Sequence, residues 1–559
     1  MTRKNNVVLF VFVGLAVLAG MGLVAYATAL GPGVGGDATI YLTSARNLLA
    51  GNGLGWTDAD GSFRLLPYSP PFYPLALSGV GLATRDMVAG ARWLNVALFG
   101  LTLAVLGGWF YRATLRPWMA AILTGVLATS PVILGVQVWA MTESLFLLLG
   151  FAGLLALLAY FDHPRGWILV GSALLCGLAF LTRYIGVAFV STGCLALVML
   201  GRGEDGRVRL RLNWPALRTA IAYGLVAILP MLVWLAIDFS MTGTVGSRSA
   251  QPVSAYWQRF LEMGPALQQI YLFWLLPDSR IPGLPGIIKT LLWLVPLVLV
   301  IVLAAALSHR ASAVQAGQRA GAPVSASSWR MAALFGLFIL VYLITLVIVQ
   351  VFTYPPITLA SRMLSPVHLA VIVLGFVLLH LALNLLAPGS RVVTGLVYLG
   401  CLALLGVYGL RGTAIARGYH GGGIGYMMPV WQESETVARM KSLPTNIPII
   451  SNETTAVMFF AGRPAYAIQE IYQDHPQPVF TPYGAGDDPA QRAFREQGGA
   501  LVLFNLTLAS DFSMYGDRAG ERIKALTEGL YPLYQGEDGA IYLYRPPVSA
   551  APPLDEYCD

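Results

Sequence analysis

Long apolar runs separated by short polar segments dominate the chain. The first extends from Val7 to Leu30, enough residues to cross a hydrocarbon core about 30 Å thick as a helix. About ten more follow. The pattern predicts helical spans near 7–30, 88–111, 118–136, 140–160, 166–183, 185–201, 218–238, 286–307, 331–352, 364–386 and 392–411. Three longer polar segments stand between or after them. In 31–87, Ala38 to Leu49 has a helical pattern, whereas Pro67-Tyr68-Ser69-Pro70-Pro71-Phe72-Tyr73-Pro74 cannot be a regular helix interior. Segment 239–285 carries Arg248, Trp257, Arg259, Trp274 and Arg280. The tail, 413–559, changes period repeatedly. It predicts helices over Gln432–Lys441, Thr454–Phe460 and Arg518–Glu528, and strands over Ile447–Ile450 and Ala500–Phe504. A hairpin of Tyr531–Tyr534 with Ala540–Tyr544 turns at Glu537-Asp538-Gly539. The last ten residues, 550–559, are rich in Pro and Ala and read as a disordered tail.

The expected architecture is an all-α polytopic membrane bundle of about eleven transmembrane helices over 1–412, with outer loops 31–87 and 239–285. A small α/β domain over 413–549 follows it. Composition excludes a soluble enzyme on an anchor, because only 11% of the side chains are charged, against about a quarter in a soluble domain. The net charge of +7 needs no nucleic acid to explain it. Arg112, Arg116, Arg165, Arg202, Arg207, Arg209, Arg211, Arg218, Arg310, Arg319, Arg330 and Arg391 fall in alternate short loops, as the positive-inside rule expects. That alternation puts the N-terminus in the cytoplasm and the α/β domain outside a plasma membrane. Met1-Thr2-Arg3-Lys4 followed by so long an apolar run reads as a retained signal anchor. Cys176, Cys194, Cys401 and Cys558 have no metal-site or disulfide spacing. No internal repeat is visible, which weighs against a secondary transporter.

Asp37 carries the sharpest chemical signal. It stands in Gly35-Gly36-Asp37-Ala38, where the chain leaves its first span. A carboxylate at the mouth of a bundle is either a functional group or a helix N-cap. Glu143, after Trp139-Ala140-Met141-Thr142, opens the fourth span; Arg183 closes the fifth; Arg362 opens the tenth. Each alone reads as a cap or a snorkelling terminal charge. Together they bring two carboxylates and two guanidiniums to one membrane face, and planar Arg donors suit an anionic lipid phosphate at that depth. His368 and His380 read as satisfied core histidines. Asn452-Glu453-Thr454 and Asn505-Leu506-Thr507 match glycosylation sequons, a pattern common by chance, and Gly421–Gly423 reads as a flexible joint.

Several of these residues lie in short motifs: Gly36-Asp37-Ala-Thr-Ile-Tyr41, Ala45-Arg-Asn-Leu-Leu-Ala-Gly51, Pro70-Pro71-Phe-Tyr73-Pro74, Met141-Thr-Glu143-Ser, Leu181-Thr-Arg183-Tyr-Ile-Gly186 and Ser361-Arg362-Met-Leu-Ser-Pro366. In that order, over roughly 7–411, they resemble the GT-C superfamily of integral-membrane glycosyltransferases. The likeness is to bacterial relatives of the protein O-mannosyltransferases (glycosyltransferase family 39) and of the lipid A aminoarabinose transferases. One difference is that Ala38 follows Asp37 where many members have an Asp-Glu pair; a single carboxylate still suffices as a base. The resemblance implies transfer of a monosaccharide from a polyprenyl-phosphate carrier to a hydroxyl of an acceptor lipid, polysaccharide or protein on the outer face, with inversion. In that reading Asp37 accepts the acceptor's proton and Arg183 and Arg362 hold the departing phosphate. Glu143 positions a hydroxyl or Arg183, and Tyr41, Trp56 and Tyr68 stack on sugar faces. A lipid-linked donor implies no cofactor and no obligatory metal, although the pattern leaves a divalent ion open. The competing classes are a transporter or flippase of a lipid-linked or anionic solute, and a non-catalytic assembly factor on the same scaffold.

Overall fold

The computed structural model describes residues 7, 9–59, 61–66, 69–200, 213–243, 249–250, 253–277, 280–315, 325–354, 359–467, 498–505, 507 and 527–544. The first helix is α1 (Gly14–Ala27), preceded by a π turn over Leu9–Val13. Then come α2 (Gly36–Leu49), β1 (Gly55–Thr57), β2 (Phe63–Leu65), α3 (Phe72–Thr84) and α4 (Met87–Thr114). Next are α5 (Pro117–Thr129), α6 (Pro131–Gln137), α7 (Glu143–Asp162), α8 (Gly166–Thr182) and α9 (Val187–Met199). The remaining long helices are α10 (Trp214–Thr242), α11 (Tyr256–Leu275), α12 (Gly286–Gln315), α13 (Ala326–Phe352), α14 (Ser365–Leu385) and α15 (Arg391–Gly422). The chain divides into two compact units, Met1–Ala29 with Pro67–Gly421 and Leu30–Leu66 with Gly422–Asp559. Residues 30–66 thus group with the C-terminal residues.

In the first unit every predicted span falls on a helix or a bent helix pair. Among the described residues, seven helices are long and apolar enough to cross a membrane, and α5 with α6, bent by 57°, makes an eighth if counted as one span. The α1, α3, α8 and α9 segments are shorter apolar helices. Two helices were not expected, α3 and α11. A Pro-rich approach masks α3, but Pro74 sits in its first turn, where the backbone N–H has no intrahelical partner anyway. The amphipathic α11 hides behind Pro265 and its polar face.

The bundle is organised around α7, which is buried along most of its length. It packs closely on α8, and α8 on α10. Small residues allow this: a Cβ at Gly153 would sit 2.6 Å from Cys176 Sγ, and one at Gly177 would run into the carbonyl of Ala227. Such positions are the usual contact points of membrane helices, where close van der Waals packing replaces the hydrophobic drive. Ser172 adds an interhelical hydrogen bond, donating to the Gly153 carbonyl at 2.8 Å. Phe151, Phe189, Phe335 and Phe338 fill the space between α7, α9 and α13, with Phe189 and Phe338 stacked at 4.5 Å. Leu225, 65% exposed, and Leu229, 59% exposed, turn outward from α10 as lipid-facing residues would.

The two ends of the bundle differ in chemistry. Where α7 ends and α13 begins, Arg330 meets Asp162 at 3.0 Å, and Arg112 from the end of α4 lies 3.8 Å from the same carboxylate. Arg116 donates to Asn384 nearby in sequence to the end of α14. The opposite end holds Glu143, Arg183 and Arg362, treated below.

The second unit contains, beyond α2 and the β1–β2 ladder, a helix α16 (Glu435–Ser442), strand β3 (Ile449–Ser451), helix α17 (Thr454–Ala461) and strands β4 (Tyr466–Ala467), β5 (Ala500–Phe504), β6 (Tyr531–Gln535) and β7 (Gly539–Leu543). Sheet order is β4-β3-β5-β7-β6. The β4, β3 and β5 strands run parallel, and the β6–β7 hairpin closes one edge antiparallel. The predicted helices over 432–441 and 454–460, strands near 447–450 and 500–504, and the hairpin all occur, with ends shifted by up to three residues. The two-residue β4 was not expected. The predicted helix over 518–528 is described only from 527 onward, and the tail 550–559 lies outside the described residues. All five residues of β5 are buried, as a central strand requires. Both sequon asparagines are engaged by the fold. Asn452 Nδ2 donates to the Phe504 carbonyl at 3.1 Å and Asn505 Nδ2 to that of Glu537 at 3.0 Å, Asn505 remaining exposed.

Candidate functional site

The site forms where two antiparallel helices meet at one end. Glu143 lies in the first turn of α7 and Arg183 directly follows the last turn of α8. The orphan N–H groups of a helix start favour an anion and the orphan carbonyls of a helix end favour a cation. Each charge therefore stands at the helix end that stabilises it, by about 0.3–1 kcal/mol. Arg183 Nη1 donates to Glu143 Oε1 at 2.6 Å and to Thr142 Oγ1 at 2.8 Å. The Glu143 side chain is only 4% exposed and that of Arg183 21%. Thr142 occupies the N-cap position of α7 but makes no side-chain cap bond; its hydroxyl is turned to the ion pair instead. The guanidinium carbon also lies 5.9 Å from the centre of the Phe146 ring, a cation–π distance.

Arg362 belongs to the same end of the bundle. It lies in the turn before α14, held by the Ser365 hydroxyl, which donates to its carbonyl at 2.7 Å. Its Nη1 lies 3.3 Å from the sulfur of Met141, two residues before Glu143. Thioether sulfur is a weak acceptor, which an anionic oxygen would outcompete. Tyr342 of α13 ties this turn down by donating to the Met363 carbonyl at 2.6 Å, and it lies close enough to feel both the Arg183 and the Glu143 charges. Ser144, Tyr184 and Ser361 each adjoin one of the three charged residues in sequence. Of these, the buried hydroxyl oxygens of Ser144 and Ser361 have no hydrogen-bond partner among the described residues. Two unpartnered hydroxyls, adjacent in sequence to Glu143 and Arg362, suit an oxygen-rich, anionic ligand better than an apolar one.

Sequence reasoning singled out Glu143, Arg183 and Arg362, and the structure brings these three together. It did not single out Met141 or Tyr342, neither of which carries a charge to flag it.

Asp37 belongs to the second unit and is exposed. It is not the N-cap of its helix: Gly35 holds that position in an extended conformation, and Asp37 sits in the first turn. Tyr41, one turn further along α2, is buried, at 5% exposure. Trp56 is half-buried on β1, opposite Arg64 of β2. Tyr68 lies outside the described residues. His368 and His380 serve the packing: His368 Nε2 is 2.9 Å from Ser130 Oγ, and His380 pairs with Asn384.

Solved structures share this architecture. A crystal structure of ArnT from Cupriavidus metallidurans bound to undecaprenyl phosphate matches with a TM-score of 0.52 at 13% identity, over 97% of this chain and 99% of that one. The Archaeoglobus fulgidus oligosaccharyltransferase in complex with Zn and sulfate gives 0.55 at 12% identity, over 94% of this chain and 72% of that one. The oligosaccharyltransferase AglB of the same organism, in complex with an inhibitory peptide and a dolichol-phosphate, gives 0.53 at 13%, over 96% and 75%. No family model and no curated protein sequence matches the chain. At these identities the likeness is one of fold: a helical membrane bundle with a small α/β domain.

Proposed function

We propose that this protein is a membrane glycosyltransferase that moves a monosaccharide from a polyprenyl-phosphate carrier to an acceptor hydroxyl on the extracytoplasmic face, with inversion. The observation that carries this reading is the Glu143–Arg183 pair, with Arg362 beside it at one end of a GT-C bundle. The neighbours with that fold include one holding undecaprenyl phosphate and one holding a dolichol-phosphate. A lipid phosphate is anionic before the sugar leaves and more so afterwards. Guanidiniums placed for the developing charge lower the barrier to its departure. Glu143 is tied to Arg183 and nearly inaccessible, so its part is to aim that guanidinium rather than to carry a proton. Asp37, an exposed carboxylate in the first turn of α2, takes the proton of the acceptor hydroxyl. With two guanidiniums for the phosphate, no obligatory divalent metal is expected, and a divalent ion stays open.

The test is a transfer assay with radiolabelled polyprenyl-phosphate sugars and full-length protein in vesicles, run beside a lipid-binding measurement. Asp37→Asn keeps the size of the side chain, and it is expected to cut turnover by about 10²–10⁴-fold while donor binding persists. Arg362→Ala is expected to weaken both donor binding and turnover, because the phosphate contact exists before and during bond cleavage. Near-normal turnover in Asp37→Asn removes it as the base. Solute movement across the vesicle without sugar transfer would favour a transporter instead.

A further inference from the structure

The second unit contains a hydrogen-bonded set of three side chains with no part in the scheme above. The Tyr426 hydroxyl donates to Glu453 Oε1 at 2.8 Å and lies 2.7 Å from Thr455 Oγ1; the Thr455 hydroxyl donates to the same Glu453 oxygen at 2.5 Å. The Tyr426 ring is buried against Trp431, Phe459 and Phe460. Burial first, and the Glu453 carboxylate second, push its phenol well up, so it stays protonated as a donor.

This set stands against the start of the helix that carries Asp37. A Cβ built on Gly36 would lie 3.8 Å from Thr455 Oγ1, and α17 packs on α2. The strand-like approach to α2 is fixed from the same place: Val34 pairs in parallel with Gly425, and the Tyr426 N–H donates to the Val34 carbonyl at 2.8 Å. The Tyr426 backbone thus holds Val34, before the turn, and its side chain holds Thr455, whose hydroxyl lies beside Gly36. Ala38 and Thr39 are buried at about 1% exposure while Asp37 faces out. A one-residue rotation of this turn would bury the carboxylate.

We infer that Tyr426, Glu453 and Thr455 are positioning residues that hold the first turn of α2 and so set the direction of Asp37. The C-terminal residues then belong to the transfer machinery rather than forming an appended module. The inference rests on the reading of Asp37 as base, and its test has one arm that does not.

In full-length protein, Thr455→Val and Glu453→Gln are expected to speed amide hydrogen exchange in the first turn of α2. They are expected to lower kcat by about 10- to 100-fold, the scale of a small misplacement of a reacting group, with the donor KM unchanged. Thr455→Ser, which restores the hydroxyl, should recover both readouts. A residue that merely stabilises the domain would shift the melting temperature without this split between kcat and KM. Unchanged exchange in the first turn overturns the inference whatever Asp37 does, since exchange is read without turnover. Faster exchange with normal kcat overturns it as well, provided Asp37→Asn is inactive in the same assay. If Asp37→Asn is active, the base reading fails, and the loss of an Asp37-directed role takes the inference with it.

Discussion

At the scale of single residues, the Glu143–Arg183 pair shows how stability and function separate. Two charges this buried are costly to desolvate, and removing one partner leaves the other uncompensated. Arg183→Ala should therefore destabilise the protein by about 3–5 kcal/mol as well as abolish transfer. Adding Glu143→Gln removes the stranded carboxylate. The double variant should regain most of the lost thermal stability in a detergent melt while transfer stays absent. A double variant as unstable as Arg183→Ala would show that the pair is not the dominant interaction of either residue. The charges of Glu143, Arg183 and Arg362 were legible in sequence because so few ionised groups interrupt the apolar runs. The Tyr342 and Met141 contacts were not legible, because uncharged residues within apolar runs look like any other core side chain.

At the scale of elements, Asp538 links the hairpin to α16. It lies in the β6–β7 turn, yet its Oδ2 accepts from the Ser434 hydroxyl at 2.5 Å and from the Thr436 N–H at 2.9 Å. Its Oδ1 accepts from Tyr534 at 3.0 Å. Ser434 in turn caps α16 by accepting from the Val437 N–H. Burial works against ionisation of Asp538, but the hydrogen bonds from Ser434, Thr436 and Tyr534 outweigh it and hold the carboxyl below its usual range. A folded pKa below the unfolded one gives stability that is present above the unfolded value, about 3.9, and is lost as pH falls through the folded value. Amide exchange in α16 should accordingly rise between about pH 4 and lower values relative to an Asp538→Asn variant, which has no such limb. Equal pH dependence in the two proteins would contradict this. The hairpin was visible in sequence from its turn and alternation. The cap was not, because about a hundred residues separate Asp538 from Ser434.

At the scale of the whole molecule, orientation is the open physical quantity. The basic cluster of Arg112, Arg116, Arg165 and Arg330 lies at the helix ends opposite Glu143 and Arg183, so the positive-inside rule gives a cytoplasmic basic end. The proposed topology has a cytoplasmic N-terminus and an extracytoplasmic C-terminal domain. A reporter fused at Gly425 should be active only as an exported enzyme, and a protease added outside should cleave there. A cytoplasmic result would mean that one bent or short segment, α5–α6 or α9, does not cross.

The sequence by itself determined the spans, the alternation of basic loops, most strands of the α/β domain and the charged residues at one helix end. These are local properties: a backbone in lipid must satisfy its own hydrogen bonds, so a long apolar run has little choice but to become a helix. Tertiary structure alone decided which helix ends coincide and that the Arg183 guanidinium reaches Glu143. It alone decided that residues 30–66 fold with the C-terminal residues rather than with the spans on either side of them. Such pairings depend on close approach between segments far apart in the chain, at Gly153, Gly177 and the Val34–Gly425 bridge. No local periodicity encodes which distant partner a small residue or a single backbone carbonyl will meet.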